Sequence, residues 1–311
     1  MFRYINQFYK RIKVIFVNSL NFQQRMEQTL QIQFGVTIDH ASKRQVYEAM
    51  MRSVREILSQ KKFGYEQELK KRRVKRSYYM SMEFLVGRTL RNNLFNLGIE
   101  KEIESYLSKH HISLDEIYQI EPDPGLGNGG LGRLASCYLD ALTSQDYPVT
   151  GFSILYEYGI FKQVINNGWQ QEFPDHWLDL GKYGLVYRND EEVEVRFYGN
   201  IKEEMTPEGF RVTHEDYTAI QAEPYDLLIS GYDTDTVNTL RLWEAKAKTG
   251  FNMKLFERGE YSRSSEAEAI ASSISKLLYP ADSTREGKEL RIKQQYFFIS
   301  ASLQQLVKNH Y

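Results

Sequence analysis

Gly125-Leu126-Gly127-Asn128-Gly129-Gly130-Leu131-Gly132-Arg133 places five glycines in eight positions. A backbone so bare of side chains turns sharply and brings its N–H groups directly against a ligand. Leu131 to Ser144 follows as a predicted helix. The glycines therefore sit where free N–H groups and the positive end of a helix dipole favour an anion, usually a phosphate. Two overlapping G-x-G-x-x-G patterns occur, at Gly125/Gly127/Gly130 and Gly127/Gly129/Gly132. Alone this is a weak sign of a dinucleotide fold, which wants a buried strand just before the glycines and an acid ending the next strand. The lead-in Ile120-Glu121-Pro122-Asp123-Pro124 is no such strand, and Glu157 lies rather far from the loop. A Walker-type phosphate loop is excluded, because no Gly-Lys-Ser/Thr follows. A helix N-terminus that needs glycine only for close packing is the plain alternative.

Working outward, Lys43 to Ser59 shows helical spacing through Val46, Met50, Val54, Ile57 and Leu58. A second helix is predicted over 61–72, running into Lys70-Lys71-Arg72-Arg73-Val74-Lys75-Arg76. That basic cluster reads as a solvated face leading into a strand, with an effector-phosphate site as the sharper alternative. Tyr78 to Phe84 reads as a buried strand, followed by helices at 87–97, closed by Gly98, and at 100–109, with His110-His111 at the end. Beyond the glycine-loop helix, Pro148 to Tyr156 reads as a strand. Strand, helices, glycine loop, helix, strand is an α/β order.

The middle of the chain is β-rich. Phe161 to Val164 and Trp169 to Glu172 flank the turn Asn166-Asn167-Gly168 as a hairpin. Further strands are predicted at Val193–Tyr198, Phe210–Val212, Tyr217–Ala222, Leu227–Ile229 and Thr239–Ala245. Helices return at 265–278 and 286–308, the latter with a Glu289–Lys293 pair at i,i+4.

At 311 residues, 41% of them hydrophobic, the chain suffices for one large domain or two ordinary ones. Forty basic against 41 acidic residues give no global drive toward nucleic acid or an anionic membrane. The 14% aromatic content suits core packing, or a sugar-facing surface. With Cys137 as the one cysteine, no intrachain disulfide is possible, and a reducing, cytoplasmic compartment fits. No stretch approaches the ~18 apolar residues of a membrane span. Arg3, Lys10, Arg11, Lys13 and Arg25 precede the first acid, Glu27; this is an ordinary basic arm or an organelle-targeting segment. The six histidines lack metal-ligand spacing, so no metal is expected. Trp169, Asp175, His176 and Trp177 form a tempting sugar cluster, for which packing is the plainer role.

Gly125 to Arg133 with Leu134-Ala135-Ser136-Cys137-Tyr138-Leu139-Asp140 resembles the glycine loop of α-glucan (glycogen, starch, maltodextrin) phosphorylases. Tyr78-Tyr79-Met80-Ser81-Met82-Glu83-Phe84-Leu85-Val86-Gly87-Arg88 is similar to the strand and turn before it. Tyr156 to Phe161 with Gly168-Trp169-Gln170, Asn238 to Trp243, and Leu278-Tyr279-Pro280 through Arg291 complete the resemblance in family order. It covers about residue 29 to the end, leaving 1–28 as a peripheral segment.

The resemblance implies an α/β fold: the incomplete N-terminal Rossmann-like domain of a two-domain GT-B-type glycosyltransferase, with a β-rich insertion at about 156–245. It implies removal of a terminal glucose from an α-1,4-glucan by inorganic phosphate, giving glucose 1-phosphate with retained configuration. Pyridoxal phosphate is the implied cofactor. By resemblance, the N–H groups of Gly129 and Gly130 line the substrate phosphate, near the cofactor phosphate. The Leu131 N–H would face the glucosyl unit, and Asn128 would shape the turn. Glu83 matches the acid beneath the sugar subsite, or is a buried carboxylate tied to nearby N–H groups. Arg133 would pair with a carboxylate or with a phosphate. Asp282 matches the acid of a mobile gate loop.

Ser283-Thr284 replaces the Asn-Phe pair of animal enzymes, so a gate aromatic is expected to be missing. Leu85 stands where they carry a tyrosine near the cofactor. The cofactor lysine and its surrounding basic residues belong to a second domain whose motifs do not occur in these 311 residues. The chain is therefore expected to be an N-terminal portion, inactive alone and needing the missing C-terminal part; the alternative is an inactive remnant that binds glucan or a partner. A homodimer is plausible by family. A dehydrogenase lacks its strand-led fingerprint here.

Overall fold

The computed structural model describes residues 20–159 and 161–310. The basic residues Arg3, Lys10, Arg11 and Lys13, and Ile160 of the segment after the glycine loop, lie outside these. The chain is mixed α/β and divides into two compact units. The first comprises the described residues up to Gly151 with 158–186 and 226–241; the second comprises 152–157, 187–225 and the residues from Leu242 on.

The first unit opens helically over 20–29, and Phe22 and Met26 of this expected periphery are fully buried. Helix α1, Lys43–Arg72, starts in a capping box: Ser42 N–H donates to Gln45 Oε1 at 2.8 Å, and Gln45 N–H to Ser42 Oγ at 3.3 Å. It is one helix where the spacing predicts two. Gly64 costs about 1 kcal/mol relative to alanine in a helix interior, and the neighbouring Lys, Gln and Glu residues are good enough helix formers to carry it through. Its predicted apolar face, including Val46, Met50, Val54 and Leu58, is buried. That face joins one core with Leu90 and Leu94 of α2 (Leu90–Asn96), Ile103 and Leu107 of α3 (Glu100–Lys109), and Ile117 of α4 (Leu114–Tyr118). Side chains of this kind gain about 1.5–3 kcal/mol each on burial.

Strand β1 covers only Ser77–Met80, shorter than the expected 78–84. Its backbone bonds are redirected. Ser77 N–H donates to Pro148 O at 3.0 Å, but Phe84 and Leu85 donate to Leu126 O and Gly132 O, at 2.8 and 3.0 Å. Helix α5, Gly130–Ser144, buries Ala135, Ser136, Leu139 and Thr143, and β2 follows at Val149–Ile154. The hairpin of β3 (Lys162–Asn166) and β4 (Trp169–Phe173) forms as expected, Ile165 opposite Gln170. Its turn residues Asn167 and Gly168 both have positive φ, 51° and 83°, as a type I′ turn requires. With β5 (Leu185–Tyr187), β9 (Thr218–Ser230) and β10 (Val237–Ala247), the strand order is β1-β2-β10-β9-β5. Strands β2, β9 and β10 contribute residues to both units.

In the second unit β6, Val193–Phe197, pairs antiparallel with the early half of β9, Val193 opposite Ala222. The two strands expected at 217–222 and 227–229 are this single β9. Pro224 does not break it, and its carbonyl accepts from Arg188 N–H at 2.9 Å. Strand β7, Asn200–Thr206, pairs with β8, Gly209–Glu215. It was not foreseen, because Lys202, Glu203 and Glu204 interrupt any apolar alternation. Helix α6 covers Glu266–Ser273, shorter than expected; the Ser272 and Ser273 hydroxyls donate to the Ala269 and Ile270 carbonyls. Helix α7 runs Arg285–His310 with Lys293 Nζ 3.0 Å from Glu289. Buried Trp243 donates its Nε1–H to Ser302 Oγ at 3.0 Å. Among the described residues no helix is long and apolar enough to cross a membrane.

Candidate anion site at the glycine loop

The five loop glycines lie in the first unit, and none has a positive φ. They supply closeness rather than the sharp turning expected from sequence. A Cβ on Gly127 would lie 2.7 Å from Leu85 N and 2.9 Å from Phe84 C. One on Gly132 would lie 3.0 Å from Glu83 Cγ. These two positions let the loop lie flat on the 83–85 segment. Gly130 differs: nothing stands within 4 Å of its would-be Cβ.

Glu83 is 3% exposed, and its Oε2 accepts from Asn128 N–H at 2.9 Å and Gly129 N–H at 3.3 Å. An internal anion thus takes two of the loop's amides. Helix α5 begins one residue later, with Gly129 as N-cap and no side-chain cap. Its first helical bond runs from Arg133 N–H to Gly129 O at 3.0 Å. The Gly130 and Leu131 N–H groups, in the first turn, have no acceptor among the described residues. The expected Gly129–Gly130 donor pair is therefore divided, one amide facing Glu83 and one open. Leu131 is 69% exposed, so this helix end is accessible.

Arg133 is exposed on the same first turn, and its charge acts on Asp140. Burial pushes the Asp140 carboxyl up, and the Arg133 charge opposes that push. A cleft of about 290 Å³ runs along α5, lined in part by Arg88, Asn92, Arg133, Ser136 and Asp140. The start of α5 offers an oxyanion two open amides and a helix dipole; the cleft is not lined by Gly130 or Leu131, and in it Arg133 acts on Asp140.

Glu121 was not singled out by the sequence. It is 4% exposed and accepts from Thr89 N–H (2.6 Å), Thr89 Oγ1–H (2.9 Å) and Leu90 N–H (3.0 Å). Burial raises its pKa, while these bonds and Arg88 oppose the rise. The one available signal was its place between the glycines and an upstream segment that would need a partner.

Asp282 belongs to the second unit and pairs with Arg291. Beside it, Thr284 Oγ1 accepts from Gly287 N–H at 3.1 Å in the first turn of α7. The tempting sugar cluster divides. Trp177 is buried against Gly125 and Gly181, and His176 meets the Tyr158 ring edge-on at 4.9 Å, whereas Trp169 is 78% exposed. Among the described residues no group of three His, Cys, Asp or Glu is placed to hold a metal.

The carbohydrate phosphorylase family model matches residues 107–311. The chain is 42% identical over 273 residues to the glycogen phosphorylase of Chlamydia pneumoniae, a match covering 88% of this chain and 33% of that protein. It is 42% identical over 268 residues to the brain-form glycogen phosphorylase of Bos taurus, covering 86% and 31%. The human brain form is 41% identical over the same length. The chain thus spans about a third of the length of the curated relatives it matches.

Proposed function

Because the chain belongs to the carbohydrate phosphorylase family, we propose that it forms part of the N-terminal Rossmann-like domain of a GT-B-type α-1,4-glucan phosphorylase. The reaction moves a terminal glucose of the glucan onto inorganic phosphate, releasing glucose 1-phosphate. The observation that carries this reading is the pair of open amides at Gly130 and Leu131 beside the buried Glu83 carboxylate.

The chain's own residues have separable tasks in this proposal. Gly130 and Leu131 N–H groups hold oxyanion charge without moving, so no reorganisation is needed as charge shifts during transfer. The bare Gly130 lets a tetrahedral phosphate close to hydrogen-bond distance, where any side chain would hold it off. Arg133 adds long-range attraction. Glu83 keeps Asn128 and Gly129 in register, and its negative charge beneath the loop favours a sugar carbon that develops positive charge. Asp282 is proposed as a gate residue through its exchangeable pair with Arg291.

Pyridoxal phosphate fits the same donor set through its phosphate, and when bound it supplies a group that exchanges a proton with the substrate phosphate. Gly130, Leu131 and Arg133 are the residues here that would face the paired phosphates. No attachment lysine is proposed on this chain, and the activity is proposed for the chain joined to the remainder of such an enzyme.

The test is a titration of the 311-residue chain with inorganic phosphate and with glucose 1-phosphate, followed by residue-resolved amide NMR. Saturable shifts centred on Gly130 and Leu131 are expected; shifts confined to residues away from the start of α5 would refute the assignment. A glucan-binding module without catalysis is the second reading, favoured by the exposed Trp169 indole. It predicts that maltoheptaose perturbs Trp169 while phosphate leaves Gly130 unmoved.

A further inference from the structure

Two carboxylates tie the glycine loop to the 83–90 segment, and they work in opposite directions. Glu83 sits on that segment and accepts from the loop, at Asn128 and Gly129. Glu121 sits on the loop's lead-in and accepts from the segment, at Thr89 and Leu90. Between the two clasps, Phe84 N–H reaches Leu126 O and Leu85 N–H reaches Gly132 O. The result is a closed ring of short spans.

We propose that Glu121 is a positioning residue for the oxyanion-binding loop, holding Gly130 and Leu131 on target through the clasp to Thr89 and Leu90. This rests on the reading of the loop as an oxyanion site. Only Pro122, Asp123 and Pro124 separate Glu121 from Gly125. Each proline fixes its own φ, so pinning Glu121 also sets the direction in which the glycines leave. On the other strand of the ring, Val86, Gly87 and Arg88 separate Leu85 from Thr89. Arg88 is the charge that acts on Glu121, and the Glu121 carboxylate in turn helps raise the pKa of the fully buried Tyr47 of α1. The carboxylate is 4% exposed and accepts from both amides, so its removal takes that acceptor from the Thr89 and Leu90 N–H groups. A helix cap alone would explain bonds to α2. It would not explain why the capping acid comes from the stiff lead-in of the loop.

The test is residue-resolved amide hydrogen exchange on the 311-residue chain and on Glu121→Ala, Glu121→Gln and Thr89→Val. In Glu121→Ala, exchange at Asn128 and Gly129 should rise about tenfold while Leu240 of β10 keeps its protection. Glucose 1-phosphate binding should weaken in step. Glu121→Gln, which retains an acceptor oxygen, should recover part of both. Loosening confined to α2, or a uniform rise everywhere including Leu240, would overturn the proposal. If Glu121→Ala does not fold, the other two variants decide, and unchanged loop exchange in both overturns it. A wild-type loop that is protected yet unresponsive to phosphate would instead refute the oxyanion reading, leaving the exchange result to stand on its own.

Discussion

Gly130 and Gly132 are two residues apart, and alanine should separate their roles. Gly132→Ala drives a methyl to within 3.1 Å of the Glu83 carboxyl and must displace it. Urea unfolding should show a loss of about 1–3 kcal/mol. Gly130→Ala meets nothing and lies in a first helical turn, so stability should hold or rise by about 0.4–1 kcal/mol. Phosphate binding should nevertheless fall, because the methyl occupies the approach to the open amide; calorimetry on both variants checks the split. Glu121 supplies a pH signature. Its folded pKa lies above the ordinary value of 4.5, so the folded state holds the proton more tightly. The associated stability is complete below the unfolded value and is lost as pH rises through the folded one. Glu121→Gln should remove that slope from urea-unfolding curves taken on both sides of the window. At this scale the glycine spacing pointed to an anion-binding loop, and Glu83 entered only through the family resemblance. The sequence was silent on Glu121, because a capping acid 32 residues from Thr89 has no local pattern.

Strands β9 and β10 depend on a buried pair in the first unit. Asp226 and Arg241, 2% and 5% exposed, join through bonds of 2.7 and 2.9 Å, with Lys62 Nζ 3.7 Å from Asp226. Asp226→Ala leaves a guanidinium buried without its carboxylate and should cost about 3–5 kcal/mol in chemical unfolding. Replacing both partners by apolar residues of similar volume should recover most of that loss. The element pattern was legible where one apolar face repeats, as over the first half of α1, and where a turn is marked, as at Asn167-Gly168 of the β3–β4 hairpin. It failed where backbone bonding overrode side-chain pattern. Tyr78 to Phe84 has strand-like residues, yet β1 stops at Met80 because Phe84 and Leu85 give their N–H groups to the glycine loop.

On the scale of the whole molecule, the β3–β4 hairpin is two strands with every residue exposed, and Ile165 and Trp169 are each 78% exposed. Trp169 pairs with Asn166 and Ile165 with Gln170, so the two stand on opposite faces of the ribbon, and an exposed apolar side chain on each face of an uncovered hairpin favours association. Sedimentation of the chain should show mass rising with concentration. Ile165→Ser with Trp169→Ser should lower that rise without shifting Tm; an unchanged rise would place the contact elsewhere.

By itself the amino-acid order determined the α/β succession, the glycine bend before α5 and the family resemblance, because these depend on residues near one another along the chain. Which amides of that bend remain open was decided only in three dimensions. Glu83 lies 46 positions from Gly129, and only folding brings its carboxylate under the loop to claim that amide and leave Gly130 free.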